Sequence, residues 1–462
     1  MTALELALAE RLGAEGPIVI AGAGLAGSLL AIYLARAGCD VTLYESRPDL
    51  RRVDIDAGRS INLALATRGI VPLVDVGVID EVDAITIPMR GRMIHVDGDP
   101  TPDLQPYGTK AHEVIHSVSR TNLNALLLDA AEATGRVIIE FDAKIESVDL
   151  NARLIHFADR ADAKFGVIFG ADGAGSRVRK AMREVGACTF HTEWLDHDYK
   201  ELEIAPTPEG RHRLDPNALH IWPRGELMLI ALANPQGDFT VTLFAPKTTF
   251  ESLTNAHEVN EFFATEFSDF RLLIPDVADQ FFDAPTGRLG TLRADGWSHE
   301  DRAVLVGDAA HAIVPFHGQG MNAALESVRA LVRQLIENSD GVSQAFGVYE
   351  AERKPDADAI AEMALNNYIE MRSGVVDPDY LAMRSLALDL ETRFPEHLSP
   401  RYNMVMFSTM PYAEARERAT QQAILIRQAI ADSGFDIAAR VQELPPLPGL
   451  DPLADPEALS TS

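Results

Sequence analysis

Cysteine and long hydrophobic runs are what this chain of 462 residues most clearly lacks. Its two cysteines, Cys39 and Cys188, are too few for a disulfide framework, and no metal-ligand spacing surrounds them. We therefore expect a reducing compartment and no metal site. No run reaches the roughly 18 apolar residues of a membrane-spanning helix, and the N-terminus lacks the basic start and apolar core of a signal peptide. These absences predict a soluble, cytoplasmic protein without a membrane partner.

Basic side chains are also few. The chain has 41 lysine and arginine residues against 69 aspartate and glutamate residues, which gives a formal net charge of −28. A surface this negative argues against nucleic acid or an anionic membrane as a partner. An anionic small molecule would need a local group of basic residues. The length allows two or three domains.

A glycine-rich turn near the N-terminus is the strongest motif. An apolar strand at residues 17–21 leads into Gly22-Ala23-Gly24-Leu25-Ala26-Gly27, helical spacing follows, and a second strand ends at Glu45. In such a βαβ unit, Gly22 permits the tight turn, Gly24 lets a pyrophosphate approach, and Gly27 lets the helix pack close to the sheet. The phosphates would sit on the helix N-terminus at Leu25 and Ala26, and Glu45 would bind a ribose hydroxyl. The sequence therefore predicts an adenine dinucleotide site.

Later segments repeat the signs of nucleotide chemistry. A buried-type strand ends at Gly170-Ala171-Asp172-Gly173, and another ends at Gly307-Asp308. Both place a carboxylate at the carboxyl edge of a sheet, where nucleotides bind in open α/β folds. The turn Gly320-Met321-Asn322 opens a helix whose N–H groups would hold a flavin pyrimidine. Two arginines suit a phosphate, a carboxylate or the flavin: Arg59, after the second strand, and Arg120, in the first turn of a helix capped by Ser119.

Three separated signals now coincide: GxGxxG with Glu45, GADGxxSxVR at residues 170–179, and GDAAH at residues 307–311. In this order they resemble the single-component, FAD-dependent aromatic hydroxylases, the group of p-hydroxybenzoate hydroxylase. Within that group the chain is similar to the kynurenine 3-monooxygenase family. The stretches that carry this likeness are RSINLAL (59–65), YKEL (199–202), HIWP (220–223), PFHGQGMN (315–322) and YNMV (402–405).

The resemblance implies a reaction and a substrate site. FAD would be the cofactor, NADPH the reductant, and a flavin hydroperoxide formed with O2 would convert L-kynurenine to 3-hydroxykynurenine. The amino-acid end of the substrate would be held by Arg92, Tyr107, Asn367 and Tyr402. Asn366 stands where the family usually has an acid, so the choice between the two adjacent asparagines stays open.

The same resemblance, with the chemistry it demands, assigns further residues. An apolar wall that includes Phe239 and Phe316 would keep water from the reacting oxygen. His317 lies on the loop near the flavin ring, so it is a candidate for catalytic proton transfer. No second complete GxGxxG occurs, so NADPH would bind without a Rossmann domain of its own.

The expected fold class is α/β, with a Rossmann-like FAD-binding domain, an inserted mixed or antiparallel substrate sheet and a C-terminal helical region. The expected boundaries are 1–75, 110–185 and 293–350 for the FAD-binding domain, 76–109 and 186–292 for the sheet, 351–440 for the helices and 441–462 for a disordered tail. A homodimer is a hypothesis. The alternatives are a hydroxylase of a different small aromatic and a non-enzymatic flavin-bound sensor, which would show no substrate-stimulated NADPH oxidation.

Overall fold

A mostly parallel sheet surrounds the glycine-rich turn. The computed structural model describes residues 3–52, 62–99, 101–108, 110, 112–372, 374, 377–432 and 434–448. In spatial order the sheet contains β18 (Ser298–His299), β19 (Ala303–Leu305), β12 (Val167–Gly170), β1 (Ile18–Ala21), β2 (Val41–Tyr44) and β8 (Val137–Glu140). Neighbours run parallel except for β18 against β19. All four residues of β1 are buried, as expected for a central strand with both faces covered.

Helices and two small sheets complete the nucleotide-binding part. The helices are α1 (Ala3–Gly13), α2 (Leu25–Arg36), α3 (Thr67–Asp75), α4 (Ile79–Asp83), α5 (Arg120–Ala133), α6 (Arg177–Glu184), α11 (Asp308–His311) and α12 (Gly320–Glu337). One small sheet contains β3 (Asn62–Leu65), β7 (Ile115–Ser119) and β4 (Thr86–Met89), and the other contains β11 (Ala163–Lys164), β10 (Leu154–Phe157) and β9 (Ile145–Asp149). Helix α2 packs against both α5 and α12, which fixes the turn between them.

A seven-stranded sheet is inserted between these segments. Its strands, in spatial order, are β17 (Gly287–Asp295), β13 (Thr189–Ile204), β16 (Phe239–Pro246), β15 (Leu227–Ala233), β14 (Leu219–Arg224), β5 (Gly91–Ile94) and β6 (Asp103–Pro106). Its pairs are antiparallel except for β14 with β5. The mixed sheet confirms the fold class expected from the sequence.

The two faces of this sheet have different surroundings because successive side chains point to opposite sides. On β16, Phe239, Val241 and Leu243 belong to a core that includes residues of the neighbouring helices. These helices are α7 (Lys247–Ser252), α8 (Ala256–Glu266), α9 (Ser268–Arg271) and α10 (Val277–Asp283). Thr242 and Phe244 line a cavity on the other face. The sheet is therefore the cover of that cavity.

C-terminal helices close one end of the same cavity. They are α13 (Val342–Arg372), α14 (Pro378–Arg393), α15 (Arg401–Met406), α16 (Tyr412–Ala431) and α17 (Ile437–Gln442). Fully buried Arg68 of α3 donates to the Val405 carbonyl over 2.9 Å and lies 4.0 Å from the Tyr412 ring centroid. The Tyr412 hydroxyl donates to Gln319 Oε1 over 2.7 Å. These contacts tie the C-terminal helices to the loop that precedes α12.

None of the helices described above is long and apolar enough to cross a bilayer. Nor do the described residues contain a group of three His, Cys, Asp or Glu side chains placed to hold a metal ion. Of the tail expected at 441–462, residues 443–448 follow α17, with Leu447 N donating to the Glu396 carbonyl over 2.6 Å, and residues 449–462 lie outside the described part.

Candidate active site

A cavity of about 380 Å³ extends from the glycine-rich turn to the C-terminal helices. At one end it is lined by Gly24, Leu25 and Ala26. At the other end the lining residues include Arg92, Tyr107, Asn367 and Tyr402. The structure thus brings these three predicted cofactor residues and four predicted substrate residues to one continuous space.

The three glycines of the turn differ in what surrounds them. A Cβ on Gly27 would lie 1.9 Å from the Gly22 carbonyl oxygen, and one on Gly22 would lie 2.5 Å from the Ala171 oxygen. Gly22 also has a φ of +97°, which only glycine adopts readily. A Cβ on Gly24 would meet nothing within 4 Å. Gly22 and Gly27 therefore permit close packing, whereas Gly24 leaves open a cradle that fits a pyrophosphate at the start of α2.

Glu45 closes the βαβ unit as predicted. Its Oε2 accepts a hydrogen bond from Ala23 N over 3.0 Å, and its Oε1 accepts one from Arg47 Nε over 2.9 Å. Burial alone would raise the pKa of this carboxyl, but the Arg47 contacts and the Ala23 N–H hold it below its usual value. Glu45 is thus an anion beside the turn, where a ribose hydroxyl could donate to it.

The start of α12 forms another wall. Gly320 and Met321 line the cavity, and N–H groups in the first turn of a helix have no partner within that helix. They suit the electron-rich edge of a flavin pyrimidine. Asn322 is buried and plays a different part: its Nδ2 donates to the Ala64 carbonyl over 2.8 Å, and its Oδ1 accepts from Ala66 N over 2.9 Å. Its side chain holds the loop against β3 and does not line the cavity.

The remaining cofactor predictions divide into cavity and supporting residues. Arg120 and Asp308 line the cavity, and burial raises the pKa of the Asp308 carboxyl while Arg120 opposes the rise. Gly307 supports the turn before α11 with a φ of +62°. Asp172 does not line the cavity; its Oδ2 accepts from Arg177 N at the start of α6, so its side chain caps that helix. Arg59 lies outside the described residues.

The substrate end is built around Arg92, which is buried on β5. Its guanidinium carbon lies 4.5 Å from the Tyr402 ring centroid, and Tyr402 stacks on Tyr107 at 5.3 Å between ring centroids. Asn367 lines the cavity and donates to the Phe316 carbonyl over 2.7 Å, whereas Asn366 is exposed. All four predicted residues therefore meet, and Asn367 is the asparagine that faces the site.

Glu370 does not line the cavity, but it contacts the lining residue Arg92, and sequence reasoning missed it. Its Oε1 lies 3.2 Å from Arg92 Nη1 and accepts from the Tyr380 hydroxyl over 2.6 Å, and its Oε2 accepts from Arg401 Nη2 over 2.8 Å. Burial would raise its pKa, but Arg92 and Arg401 hold it below the usual value, so Glu370 is an anion. The available signal was its position three residues after Asn367, which places both on one face of α13.

His317 stacks on Tyr402 with 5.4 Å between ring centroids. Neither ring nitrogen has a hydrogen-bond partner among the described residues. Burial lowers the pKa of His317 to about 3, so the ring is neutral near pH 7. It can donate or accept a hydrogen bond inside the cavity, but it carries no excess proton to deliver.

Only one of the two predicted aromatic residues, Phe316, belongs to the apolar wall. Phe316 lines the cavity and packs on Phe244 at 5.0 Å and on Tyr368 at 3.8 Å between ring centroids. Phe239 does not, which corrects its assignment to the wall. It is fully buried on the opposite face of β16, because alternation along the strand directs it into the core beside α8 to α10. Leu219, Met228, Ile230 and Phe244 supply the wall in its place.

Comparisons with known proteins agree with this geometry. Residues 15–364 match the family model of an FAD binding domain. The chain is 48% identical to the kynurenine 3-monooxygenase of Stenotrophomonas maltophilia over 92% of this chain and 94% of the relative. It is 46% identical to the protein of that name from Xanthomonas axonopodis pv. citri over 89% of this chain and 92% of the relative.

A solved structure supports the fold. A tetrameric 2-methyl-3-hydroxypyridine-5-carboxylic acid oxygenase has a TM-score of 0.65 at 20% identity, covering 79% of this chain and 95% of that one. Identity that low establishes architecture alone, whereas the two closer relatives span almost the whole chain. The chain therefore belongs to the kynurenine 3-monooxygenase family of FAD-dependent aromatic hydroxylases.

Proposed function

We propose that this protein binds FAD and uses NADPH and O2 to hydroxylate L-kynurenine to 3-hydroxykynurenine. Two relatives named for that activity share 48% and 46% of their aligned residues with the chain. The observation that carries the proposal is the meeting of Arg92, Tyr107, Asn367 and Tyr402 at one end of the cavity whose other end is the glycine-rich turn.

The charged end of the cavity suits an amino acid in its zwitterionic form. Arg92 offers a planar fork to the α-carboxylate, and its Nε has no hydrogen-bond partner among the described residues. The adjacent Glu370 carboxylate, anionic beside Arg92 and Arg401, would accept from the α-ammonium. Opposite charges side by side therefore select a substrate that carries both signs on one carbon.

The middle of the cavity suits the aromatic ring. Leu219, Met228, Ile230 and Phe244 project from one face of the seven-stranded sheet, and Phe316 packs against Phe244. An apolar wall excludes water from the reacting atoms, which protects the oxygen transfer from a wasteful release of H2O2. His317, neutral and with both nitrogens available, would orient a polar group of the substrate or cofactor by hydrogen bonding.

The cofactor end supplies binding and orientation. When bound, FAD accepts two electrons from NADPH and activates O2 for insertion into the ring. Gly24 provides the open cradle, Glu45 an acceptor for the ribose, and the first turn of α12 a set of N–H donors. The side chains of Arg120 and Asp308 face this part of the cavity. NADPH, rather than NADH, as the reductant is part of the proposal.

Assembly and location are finer points of the same proposal. We infer a reducing, cytoplasmic location because Cys39 and Cys188 are both free and buried. A homodimer is the assembly we propose to test by light scattering.

The decisive experiment follows NADPH consumption by the flavin-loaded protein with and without L-kynurenine, while 3-hydroxykynurenine and H2O2 are quantified. We expect stimulated consumption with nearly one hydroxylated product per NADPH. Stimulation with H2O2 alone would make L-kynurenine an effector and point to a different aromatic substrate. An absence of any stimulation would contradict the proposal and favour a flavin-bound sensor.

A matched probe separates recognition of the ring from recognition of the amino-acid end. 2-Aminoacetophenone keeps the aniline and carbonyl but lacks the zwitterion. If Arg92 and Glu370 recognise the substrate, this probe should stimulate NADPH consumption only at far higher concentration than L-kynurenine. Equal potency would show that the charged end of the cavity is not the recognition site.

A further inference from the structure

Each turnover of an NADPH-dependent monooxygenase consumes one proton. The balance is RH + O2 + NADPH + H⁺ → ROH + H2O + NADP⁺, and even the uncoupled reaction, O2 + NADPH + H⁺ → H2O2 + NADP⁺, needs one. Where an apolar wall keeps water from the reacting atoms, a side chain is needed to carry that proton in from solvent. His317 does not fill this role, since its pKa of about 3 leaves it without an excess proton near pH 7.

The ionisable groups of the substrate end are also unsuited. Burial raises the pKa of the Tyr107 and Tyr402 hydroxyls, so both stay neutral and release no proton near pH 7. Arg92 is held by Glu370, and that carboxylate is kept ionised by two arginines. The substrate end is thus fixed in charge.

Glu201 lies on β13, near the edge of the seven-stranded sheet that is opposite to Arg92 on β5. Strand alternation puts it on the same face as Tyr199, and it pairs with Thr242 of β16, which also lines the cavity. Four strand spacings separate β13 from β5, so Glu201 lies about 19 Å across the sheet from Arg92. It therefore lies away from the amino-acid site.

Tyr199 on its own strand and Arg120 from α5 interact electrostatically with Glu201, and Asp308 from the start of α11 and Arg288 from β17 line the same cavity. Arg120 is exposed, so this edge communicates with solvent. Burial raises the pKa of Glu201 to about 7, while Arg120 acts to lower it. The carboxyl therefore exchanges a proton in the physiological range.

We propose that Glu201 is the proton donor of the flavin cavity, loading its carboxyl from water at the Arg120 edge and releasing the proton toward the oxygen undergoing reduction. The Oε–H bond breaks, the proton ends on an oxygen atom derived from O2, and the two electrons come from the hydride of NADPH through bound FAD. The carboxylate then takes its replacement proton from water. This role rests on the proposed monooxygenase function.

The test compares Glu201→Gln with Glu203→Gln. Glu203 lies two residues further along β13, and burial also raises its pKa, but it does not line the cavity. A protonated donor is required, so we expect wild-type kcat to fall as pH rises through about 7. Glu201→Gln should lower kcat about 100-fold and remove this pH limb, with KM for L-kynurenine nearly unchanged. Glu203→Gln and the conservative Glu201→Asp should keep the limb.

A second readout does not depend on catalysis. Infrared difference spectra of the FAD-free and FAD-loaded proteins should show a carboxyl band that titrates near pH 7, present in Glu203→Gln and absent from Glu201→Gln. The proposal would be overturned if Glu201→Gln kept the wild-type kcat and its fall above pH 7. It would also be overturned if the carboxyl band were lost only in Glu203→Gln. If L-kynurenine proves not to be the substrate, the pH dependence of the rate of H2O2 formation, compared between the wild type and Glu201→Gln, tests Glu201 independently.

Discussion

The two ends of the cavity are specified in different ways. At the cofactor end, three glycines within six residues shape the backbone, and Glu45 lies only 22 residues from its partner Ala23. At the substrate end, Arg92 contacts Glu370 across 278 residues of chain, and α15 contributes Tyr402. A site made from one stretch of backbone is visible as a local motif, whereas a site made from side chains of distant elements depends on tertiary packing.

The largest effect should follow from adding one methyl group at the cofactor end. Gly27→Ala would put a Cβ 1.9 Å from the Gly22 oxygen, so α2 must shift from the sheet. We expect loss of FAD binding and a fall in the free energy of unfolding of about 1–3 kcal/mol. Flavin content and thermal unfolding of the FAD-free protein measure the two effects.

Gly24→Ala is the matched control, because its Cβ would meet nothing within 4 Å. The FAD-free protein should unfold like the wild type, while FAD affinity falls because the methyl group occupies the phosphate cradle. Equal destabilisation by both substitutions would show that the contrast between packing glycine and cradle glycine is wrong.

The next effect belongs to the substrate end. Arg92→Met removes the carboxylate fork and leaves Glu370 with Arg401 and Tyr380. We expect KM for L-kynurenine to rise about 100-fold, which is about 2.7 kcal/mol, with FAD affinity unchanged. Steady-state kinetics with a flavin titration provide the measurement.

Glu370→Gln, alone and combined with Arg92→Met, extends this test to a double-mutant cycle. Because the two side chains contact each other, their effects on KM should be non-additive by about 1 kcal/mol or more. Strict additivity would mean that the ion pair does not couple the two halves of the zwitterion site.

The sequence pointed to residues at the cofactor end and at the substrate end for different reasons. Gly22, Gly24 and Gly27 followed from local geometry that any βαβ unit requires. Arg92 alone would be an unremarkable strand arginine, and family resemblance was needed to single it out. Glu370 escaped because its role appears only when α13, α14 and α15 pack together around Arg92.

Phe239 shows a different limit. Strand alternation on β16 is legible from the sequence, but which of its two apolar faces meets the cavity is not. Phe239, Val241 and Leu243 lie on one side and Phe244 lies on the other, and each side contains large hydrophobic residues. Because α8 to α10 pack against the face that contains Phe239, the other face of β16 is the one that meets the cavity.

A stability effect, separate from activity, concerns the far side of the same sheet. His220 Nε2 donates to the Asp215 carbonyl, so His220 Nδ1 is an acceptor, and His95 Nε2 donates to it over 2.9 Å. The His95 ring also stacks on Trp222, with 4.1 Å between ring centroids. Burial, with help from His220, lowers the pKa of His95 to about 4. The unfolded chain binds the proton more readily, so stability is full above about pH 6.5 and is lost as pH falls toward 4.

In His95→Gln, the loss in the free energy of unfolding between about pH 6.5 and pH 4 should be smaller by up to about 3 kcal/mol. Denaturant unfolding between pH 4 and 8 measures it, and His257→Gln at an exposed position serves as the control. An unchanged limb in His95→Gln would assign the acid sensitivity to other groups.

The smallest change is expected at His317, which lines the cavity beside Tyr402. Its pKa of about 3 keeps the ring neutral throughout the working range, so replacing it should not alter the shape of the pH–rate profile. His317→Asn removes the stacking on Tyr402 and alters the hydrogen bond that the ring would make to bound substrate or cofactor. This should lower kcat by about tenfold or less, since a typical net hydrogen bond contributes about 1 kcal/mol. Kinetics from pH 6 to 9 provide the measurement. If His317→Asn removed the limb near pH 7 and Glu201→Gln kept it, the proton donor would lie on the α12 loop, and the cover sheet would serve only as a wall.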